Sequence, residues 1–473
     1  MKKDLNNVKY DAIQKYFFDI PKEIKKIMNN DLVFDGFSFF PSYRPMYYFI
    51  ATNKLQIEKL SLYEKFHEYF PSFLIRKKIP ETDIIFYDAL SYRKLSYFGS
   101  LEKEISKKNK IVQFQPSDKE YVLAVLNKNT QYHHPIEFIN NKIKKETRKA
   151  IGKKHELFEK KQETFESFLG DLNPNKKNET MKLIETSYKS LYPLSLFHYL
   201  EWGEIINKLN PKIVILDDVF GMPSYSAILA CKNKSIITIG IQHGIGLPEG
   251  FKYKLKIKWP DILFVWSKKT KNELEHIGKN KIYDVGPLRY DDLPKSKIET
   301  IEDSKILFWP AVFTKANDGL DKKIFSELCV FLDNNKKWGL LIKSHPEFGV
   351  PQWLKQHINN RKIKIIDKHI NSFKVIKSSD LVLAYNTTVF LEANIAKKPT
   401  IFYKQSGCIY EMAKEYGFPI VNDASKIDEI FENNSENIKN ARERYLRENI
   451  SNLGCASKKA YEIISDILDK TSR

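Results

Sequence analysis

Cysteine is scarce and scattered in this 473-residue sequence. No two cysteines form a C-x-x-C motif, and no histidine follows them at a spacing that metal sites use. The pattern argues against a disulfide framework and a zinc site, and it is typical of a protein in a reducing compartment. The four residues are Cys231, Cys329, Cys408 and Cys455.

Long apolar runs are also missing. No stretch approaches the ~20 apolar residues that a membrane-spanning helix requires. The N-terminus lacks the apolar segment of a secretory signal. We therefore expect a cytoplasmic protein, either soluble or peripheral at the inner face of the cytoplasmic membrane.

Several motifs of common enzyme classes do not occur. The sequence has no G-x-x-x-x-G-K-[ST] phosphate loop, no G-x-G-x-x-G after a strand and no G-x-S-x-G nucleophile elbow. His133 and His134 have no companion ligands at metal spacing, and we predict that they lie in a loop. We expect neither a metal nor another cofactor.

Basic residues exceed acidic ones, with 78 Lys and Arg against 59 Asp and Glu and a formal net charge of +19. Such a charge attracts anions: acidic lipids, nucleotide sugars, acidic glycans or nucleic acid. The excess is spread along the chain, and no basic-aromatic nucleic-acid module is present. We expect an anionic substrate or a membrane surface as partner, and no nucleic acid.

Strand and helix patterns alternate from residue 212 onward, which is typical of doubly wound parallel sheets. β-branched runs predict strands at 212–216, 235–241, 261–266 and 281–286, with helices at 224–232 and 267–276. A second series predicts strands at 305–309, 339–343, 362–366, 381–384 and 399–403. The tail from 435 has helical spacing at Ile438, Ala441, Tyr445 and Ile450.

The first two hundred residues show weaker patterns. Strand-like runs at 83–87 and 110–114 are predicted to complete the first sheet. Residues from about 135 to 205 are predicted to form a helical insertion with a strongly basic stretch at 142–161. The predicted domains are 1–290 and 305–473, joined by a linker at 291–304.

The segment 343–346 (Lys-Ser-His-Pro) follows a predicted strand directly. Ligands of open α/β sheets bind beyond the carboxyl ends of strands. His345 there can donate to a phosphate oxygen, Lys343 adds positive charge, and Pro346 ends the strand. The alternative is that this turn only terminates the strand.

A second polar segment follows the predicted strand at 381–384. Asn386, Thr387 and Thr388 precede a predicted helix, and hydroxyl and free N–H groups there can bind a phosphate. Glu392, one turn into the helix, is predicted to reach ribose or sugar hydroxyls. The alternative is that Thr387 is an N-cap and Glu392 a surface residue.

The first domain also has polar residues after its strands. Asp217 and Asp218 follow one strand, and His243 follows the next. Transfer of a sugar to a hydroxyl requires a base, and Asp or His can serve. Alternatively, Asp218 caps the following helix and His243 is a buried core residue.

Residues from about 212 to the C-terminus resemble glycosyltransferases of the two-Rossmann-domain (GT-B) architecture. The nearest groups are bacterial capsule and lipopolysaccharide enzymes and the CDP-glycerol glycerophosphotransferases. The resemblance rests on the strand leading into paired hydroxyls at 378–388, on the Lys-Pro strand at 398–403, and on the His-Pro motif at 343–346. The His-Pro motif is shared with sialyl- and Kdo-transferases. The sequence departs from the family in having paired Thr in place of the commoner paired Ser.

The resemblance implies two Rossmann-like doubly wound domains facing each other across a cleft. It implies that His345, Thr387 and Thr388 contact the donor phosphate of a metal-independent glycosyltransferase, which is expected to invert the anomeric centre. The expected substrates are a nucleotide sugar and a glycan or lipid-linked acceptor. Polyol-phosphate transfer, sugar epimerisation and a non-catalytic binding subunit remain alternatives.

Overall fold

The computed structural model describes residues 21–35, 37–39, 81–88, 98–114, 132–217, 219, 221–242, 244, 259–275, 280–293, 296–302, 304–313, 317–345, 349–356, 362–385, 387–404 and 408–471. Within these residues the chain forms two α/β domains, each with a parallel sheet, and a small antiparallel hairpin. No helix among them is long and apolar enough to cross a membrane.

The described chain begins with one helix and a hairpin: α1 (Lys22–Asp31), β1 (Val33–Phe34) and β2 (Phe37–Ser38). The carboxylate of Asp31 accepts a hydrogen bond from the hydroxyl of Tyr188 at 2.6 Å and another from Lys161 at 2.8 Å. Both partners belong to the helical insertion, which therefore holds this N-terminal segment.

The first domain continues in chain order with β3 (Ile84–Tyr87), α2 (Leu101–Ser106), β4 (Ile111–Phe114), β5 (Tyr132–His133), α3 (Asn141–Phe168), α4 (Pro174–Thr186), α5 (Tyr192–Leu209), β6 (Ile213–Leu216), α6 (Met222–Asn233), β7 (Ile237–Ile241), β8 (Ile262–Val265), α7 (Lys268–Glu275) and β9 (Lys281–Asp284). The seven strands are parallel in the order β5-β4-β3-β6-β7-β8-β9. The strand order reverses between β3 and β6, and ligands bind at such a reversal in open α/β sheets.

Six of these seven strands coincide with predicted strands. Parallel strands are buried on both faces and therefore carry continuous apolar runs that can be recognised in a sequence. The prediction of a loop at His133 is wrong, because His133 lies in β5, a strand too short to show a pattern. It is buried, and its Nδ1 lies 3.1 Å from the carboxylate of Glu137.

The predicted helical insertion at 135–205 is confirmed as α3, α4 and α5, which pack on one face of the first sheet. A π-helical turn (Ser187–Leu191) joins α4 to α5. Pro193 has no N–H to donate to the carbonyl four residues earlier, and the N–H of Tyr192 bonds to the Ser187 carbonyl five residues earlier. The proline thus explains the local widening of the helix.

The second domain consists of β10 (Lys305–Ala311), α8 (Asp318–Asn334), β11 (Trp338–Ser344), α9 (Gln352–Lys355), β12 (Ile363–Ile366), α10 (Ser372–Lys377), β13 (Leu381–Ala384), α11 (Val389–Ile395), β14 (Thr400–Tyr403), α12 (Cys408–Tyr416), β15 (Ile420–Val421), α13 (Ile427–Asn433), α14 (Ser435–Asn449) and α15 (Ala456–Thr471). Its six parallel strands have the order β12-β11-β10-β13-β14-β15. The strand order reverses between β10 and β13. Five of the strands were predicted, and the two-residue β15 was not.

The C-terminal tail is helical, as predicted, but its two helices cover different domains. The apolar residues of α14 that are buried are Ile438, Ala441 and Tyr445, whereas Ile450 lies beyond the end of the helix. Ala460 and Ile464 of α15 pack on the first sheet. The end of the predicted second domain, 305–473, therefore lies against the first domain.

The two domains meet beside the segment that follows β9. Gly286 has a φ of +91°, and a Cβ at this position would lie 2.2 Å from the carbonyl oxygen of Ser451. Only glycine lets the C-terminal segment pass this closely. Next to this crossing, Trp266 and Tyr290 pack in one apolar cluster with Phe390 of the second domain.

Candidate functional site

The structure describes six of the ten predicted site residues. Lys343, His345, Thr387, Thr388 and Glu392 belong to the second domain, and Asp217 belongs to the first. The four that lie outside the described residues are Asp218, His243, Pro346 and Asn386.

Lys343 and His345 lie at the carboxyl end of β11. Lys343 is buried, and its Nζ donates to the carbonyl oxygen of Ser344 at 3.4 Å. Burial lowers the pKa of Lys343, and the carboxylates of Glu392 and Asp367 oppose this effect. The backbone N–H of His345 donates to the carbonyl of Ala311 at 3.0 Å, so β10 fixes the start of this turn.

Thr387 and Thr388 lie at the carboxyl end of β13, beside the position where the strand order of the second sheet reverses. Thr387 is buried, and its Oγ1 accepts a hydrogen bond from the N–H of Val389 at 3.3 Å. Thr388 is exposed and makes no side-chain cap. Because α11 has only seven residues, the hydroxyls are better suited to bind an anion than the dipole of this short helix.

The strand order brings the two polar turns close together. Both β11 and β13 pair with β10, so one strand separates the turn of His345 from the turn of Thr387. Neighbouring strands lie about 4.8 Å apart, and the two turns are therefore about 10 Å apart. A diphosphate is long enough to span much of this gap.

Glu392 is not a surface residue. It is buried in α11, and its Oε1 forms an ion pair with the guanidinium of Arg289 and lies 3.5 Å from the hydroxyl of Tyr290. Both partners belong to the turn after β9 (Leu288–Tyr290). The carboxylate predicted to meet sugar hydroxyls thus also joins the two domains.

Arg289 is a residue that sequence reasoning missed. Its guanidinium lies over the ring of Tyr290 at 4.6 Å and pairs with Glu392 across 103 residues of sequence. The sequence shows only a short polar stretch after a strand. The local signal that was available is the Gly286-Pro287 turn, which marks a tight crossing before Arg289.

In the first domain, two buried carboxyl groups follow adjacent strands. Asp217 comes after β6 and Asp88 after β3, and the parallel register pairs Leu216 with Tyr87. The backbone N–H of Asp217 donates to the Tyr87 carbonyl at 3.3 Å. Asp88 was missed, although its strand shows the same pattern, an apolar run that ends in Asp.

Gln242 precedes the predicted base His243 in the sequence and links two strands of the first sheet. The Oε1 of Gln242 accepts a hydrogen bond from the N–H of Trp266 at 2.8 Å, and its Nε2 donates to the carbonyl of Gly244 at 2.9 Å. The hydrogen bond from Trp266 to Gln242 therefore links the ends of β7 and β8. Among the described residues no group of three potential metal ligands occurs.

No protein-family model matches the sequence, and no curated protein sequence is significantly similar to it. Solved structures do match it. The chain is similar to S. aureus MnaA in complex with UDP, with a TM-score of 0.55 and 13% identity over 83% of this chain and 97% of that chain. It is also similar to the UDP-GlcNAc 2-epimerase from Neisseria meningitidis bound to UDP-GlcNAc, with a TM-score of 0.51 and 13% identity over 81% and 99%.

A third similar structure is the glycotransferase of kitacinnamycin, with a TM-score of 0.50 and 11% identity over 82% of this chain and 99% of that chain. At these identities the likeness concerns the fold. The predicted architecture is confirmed: two Rossmann-like doubly wound domains face each other across a cleft in the GT-B arrangement, with a helical insertion in the N-terminal half.

Proposed function

We propose that the protein is a glycosyltransferase that moves a sugar from a nucleotide-activated donor to a glycan or lipid-linked acceptor in bacterial cell-surface polysaccharide synthesis. The observation that carries this proposal is the grouping of Lys343, His345, Thr387 and Thr388 at the carboxyl ends of the strands that flank β10. The similar structures solved with UDP and UDP-GlcNAc support a nucleotide-sugar donor.

In this proposal the second domain holds the donor. His345 and Thr388 donate hydrogen bonds to the phosphates, and Lys343 supplies positive charge beneath them. Asn386 and Pro346 remain predicted members of the donor-binding group. Because Arg289 engages Oε1 of Glu392, we assign the other carboxylate oxygen to a ribose hydroxyl.

The first domain receives the acceptor in this proposal. A base removes the proton of the attacking hydroxyl, and the candidates are Asp217, Asp218 and His243. Asp88 lies beside Asp217 and belongs to the same group of candidates. Direct displacement at the anomeric carbon inverts its configuration. In this proposal Lys343 and the hydrogen bonds from His345 and Thr388 stabilise the leaving nucleotide without a metal.

A second candidate function is epimerisation of a nucleotide sugar. The two buried carboxyl groups of Asp88 and Asp217 favour it, because removal and return of a proton on carbon needs acid–base groups beside the sugar. The name of the N. meningitidis structure points the same way. The same donor site serves both reactions.

The first experiment is a thermal-shift titration of the protein with CMP, CDP, UDP, GDP and ADP, with and without magnesium. A ligand at about a hundred times its Kd stabilises the folded state by about 2.7 kcal/mol. We expect one nucleotide to raise the Tm without magnesium. If none does, with or without acceptor glycan, the donor site is wrong.

Product analysis separates the two reactions. An epimerase converts a nucleotide sugar without an acceptor, and NMR of the protein with the sugar alone detects this. A transferase releases the nucleotide only when an acceptor is present, and a polyol-phosphate transferase releases CMP from a CDP-polyol. Nucleotide binding without turnover of any donor indicates a binding subunit.

We further propose that the protein docks on the inner face of the cytoplasmic membrane through α3. Four exposed lysines repeat along one face of its N-terminal half: Lys142, Lys145, Lys149 and Lys153. None of the four forms an ion pair anywhere in the described part of the chain. Each lysine near an anionic bilayer contributes about 1 kcal/mol. An acidic glycan is the alternative partner of this face.

A further inference from the structure

A buried carboxyl group lies beneath the carboxyl end of the second sheet and has no part in the roles proposed above. Asp321 is in the first turn of α8 and is 1% exposed. Asp318, three residues earlier, is on the surface, where it pairs with Lys322 at 2.8 Å and accepts from the indole N–H of Trp353 at 3.0 Å. The two aspartates therefore lie in different environments.

The carboxyl group of Asp321 has one hydrogen-bond partner among the described residues. The hydroxyl of Tyr385 donates to its Oδ1, and within the described structure its Oδ2 has no partner. An ionised carboxylate that is buried with a single hydrogen bond and no cation is strongly disfavoured. Burial and the nearby charge of Asp318 raise the pKa of Asp321 to about 8. At neutral pH the group is therefore mainly protonated.

No positive charge faces Asp321 from the described elements packed around it. On its own helix, Lys322 pairs with Asp318, and Asp318 is the charged group that, after burial, raises the pKa of Asp321. After the end of β13, the hydroxyl of Tyr385 contacts Asp321, and Trp309 of β10 packs against the Tyr385 ring with the ring centroids 6.4 Å apart. Lys343 interacts with Glu392 and Asp367 instead.

Tyr385, the partner of Asp321, lies at the start of the turn that carries Thr387 and Thr388. Tyr385 follows the last residue of β13 directly and is 1% exposed. Thr387 and Thr388 come two and three residues later. The bond between Asp321 and Tyr385 thus joins the N-terminal turn of α8 to the backbone that presents these hydroxyls.

We propose that Asp321, held in its protonated form, is a positioning residue that orients the turn of Thr387 and Thr388 and keeps negative charge away from bound phosphate. Ionisation of Asp321 then places a buried negative charge beneath the donor site and weakens binding of the nucleotide. This proposal rests on the proposed function, because it assumes that the turn binds a nucleotide phosphate.

The test is the pH dependence of UDP affinity, measured by calorimetry from pH 6.5 to 9.5 on the full-length protein and on Asp321→Asn. Asn keeps an acceptor for the Tyr385 hydroxyl and does not ionise. We expect affinity of the wild type to fall roughly tenfold above pH 8, as for a buried charge on the order of 10 Å from an anion, and this loss to disappear in Asp321→Asn. Loss of charge on Lys343 affects both proteins equally.

Two further variants act as controls. Asp318→Asn removes a surface carboxylate of the same turn, and the alkaline loss must persist there, moved to slightly lower pH. Tyr385→Phe removes the hydroxyl, and we expect UDP to bind several-fold more weakly at pH 7. Equal pH curves for the wild type and Asp321→Asn overturn the proposal while leaving the donor site intact.

Thermal unfolding without ligand tests the protonation by itself. A carboxyl group whose pKa is raised in the folded state keeps its proton there while the unfolded chain loses it. The folded protein therefore loses stability as pH rises from about 4 to about 8. We therefore expect Asp321→Asn to gain Tm relative to the wild type over this range. A constant difference overturns the protonated state. If UDP fails to bind either protein at every pH while other nucleotides also fail, the proposed function and the positioning role fall together.

Discussion

The two sheets share one topology and end in opposite chemistry. In both, all strands are parallel, and the strand order reverses next to the strand that comes first in the sheet, β3 or β10. The first sheet ends there in buried carboxyl groups, Asp88 and Asp217. The second ends in Lys343, His345 and paired hydroxyls.

This difference shows which feature decides the role of each domain. The topology determines only where side chains meet, because the carboxyl ends of parallel strands lie at one side of a sheet. The residue types then determine whether the site binds an anion or moves a proton. In the proposed function, the nucleotide diphosphate therefore binds at the second sheet, and the carboxyl groups of the first sheet serve as acid–base groups.

The largest effect is expected at the anion-binding site of the second sheet. We expect His345→Ala combined with Thr388→Ala to abolish turnover and to weaken nucleotide binding roughly a hundredfold or more, since each hydrogen bond to a charged group contributes about 1.5–3 kcal/mol. Calorimetry with the cognate nucleotide measures this. His369→Ala combined with Thr164→Ala, both at exposed positions, is the matched control. Full activity of the variant with His345→Ala and Thr388→Ala contradicts the proposed donor site.

The next prediction concerns the carboxyl side. We expect Asp217→Asn to lower kcat by about 10²–10⁴, as for loss of a general base, and to leave nucleotide affinity unchanged. Steady-state kinetics together with nucleotide titration separate the two quantities. Asp171→Asn, at an exposed position, serves as control. A loss of nucleotide affinity equal to the loss of kcat means that Asp217 belongs to the donor site.

The third prediction tests the ion pair of Arg289 and Glu392 between the two domains. We expect Glu392→Gln to lower the free energy of unfolding by about 3 kcal/mol, because it leaves the buried guanidinium of Arg289 without its counter-ion. Thermal unfolding measures the change. Glu415→Gln removes one partner of the exposed pair with Lys269 and should cost less than about 1 kcal/mol. Equal effects of the two substitutions contradict a buried interdomain ion pair.

The smallest effect per residue is expected on the exposed face of α3. Each of Lys142→Glu, Lys145→Glu and Lys149→Glu should weaken binding to vesicles with anionic lipid by about 1 kcal/mol or slightly more. Vesicle sedimentation at low and physiological salt measures this. Lys176→Glu on α4 is a control of the same charge change. Unchanged vesicle binding together with lost binding of an acidic glycan identifies the glycan as the partner of this face.

Most of the strands could be predicted because a buried parallel strand is visible as a local run. The run at 213–216 is apolar throughout, and so is the run at 381–384. Strands β5 and β15 have two residues each, and two residues carry no periodicity. The prediction therefore missed them for a physical reason.

The site could be predicted in part. His345, Thr387 and Thr388 were recognisable because polar residues directly after a buried run mark a strand end. The bond of Arg289 to Glu392 and that of Asp321 to Tyr385 span 103 and 64 residues. Each partner taken alone looks like an ordinary helix or turn residue, so local reasoning does not connect them.

The sequence by itself determined the class of fold, the positions of the longer strands of the two parallel sheets and the polar residues that follow them, because burial and strand ends leave a local record in residue type. Only the tertiary structure decided that Asp88 joins Asp217, that Arg289 pairs with Glu392, that Asp321 is buried against Tyr385 and that α15 packs on the first sheet. These contacts depend on strand order and helix packing, which bring together residues far apart in the chain.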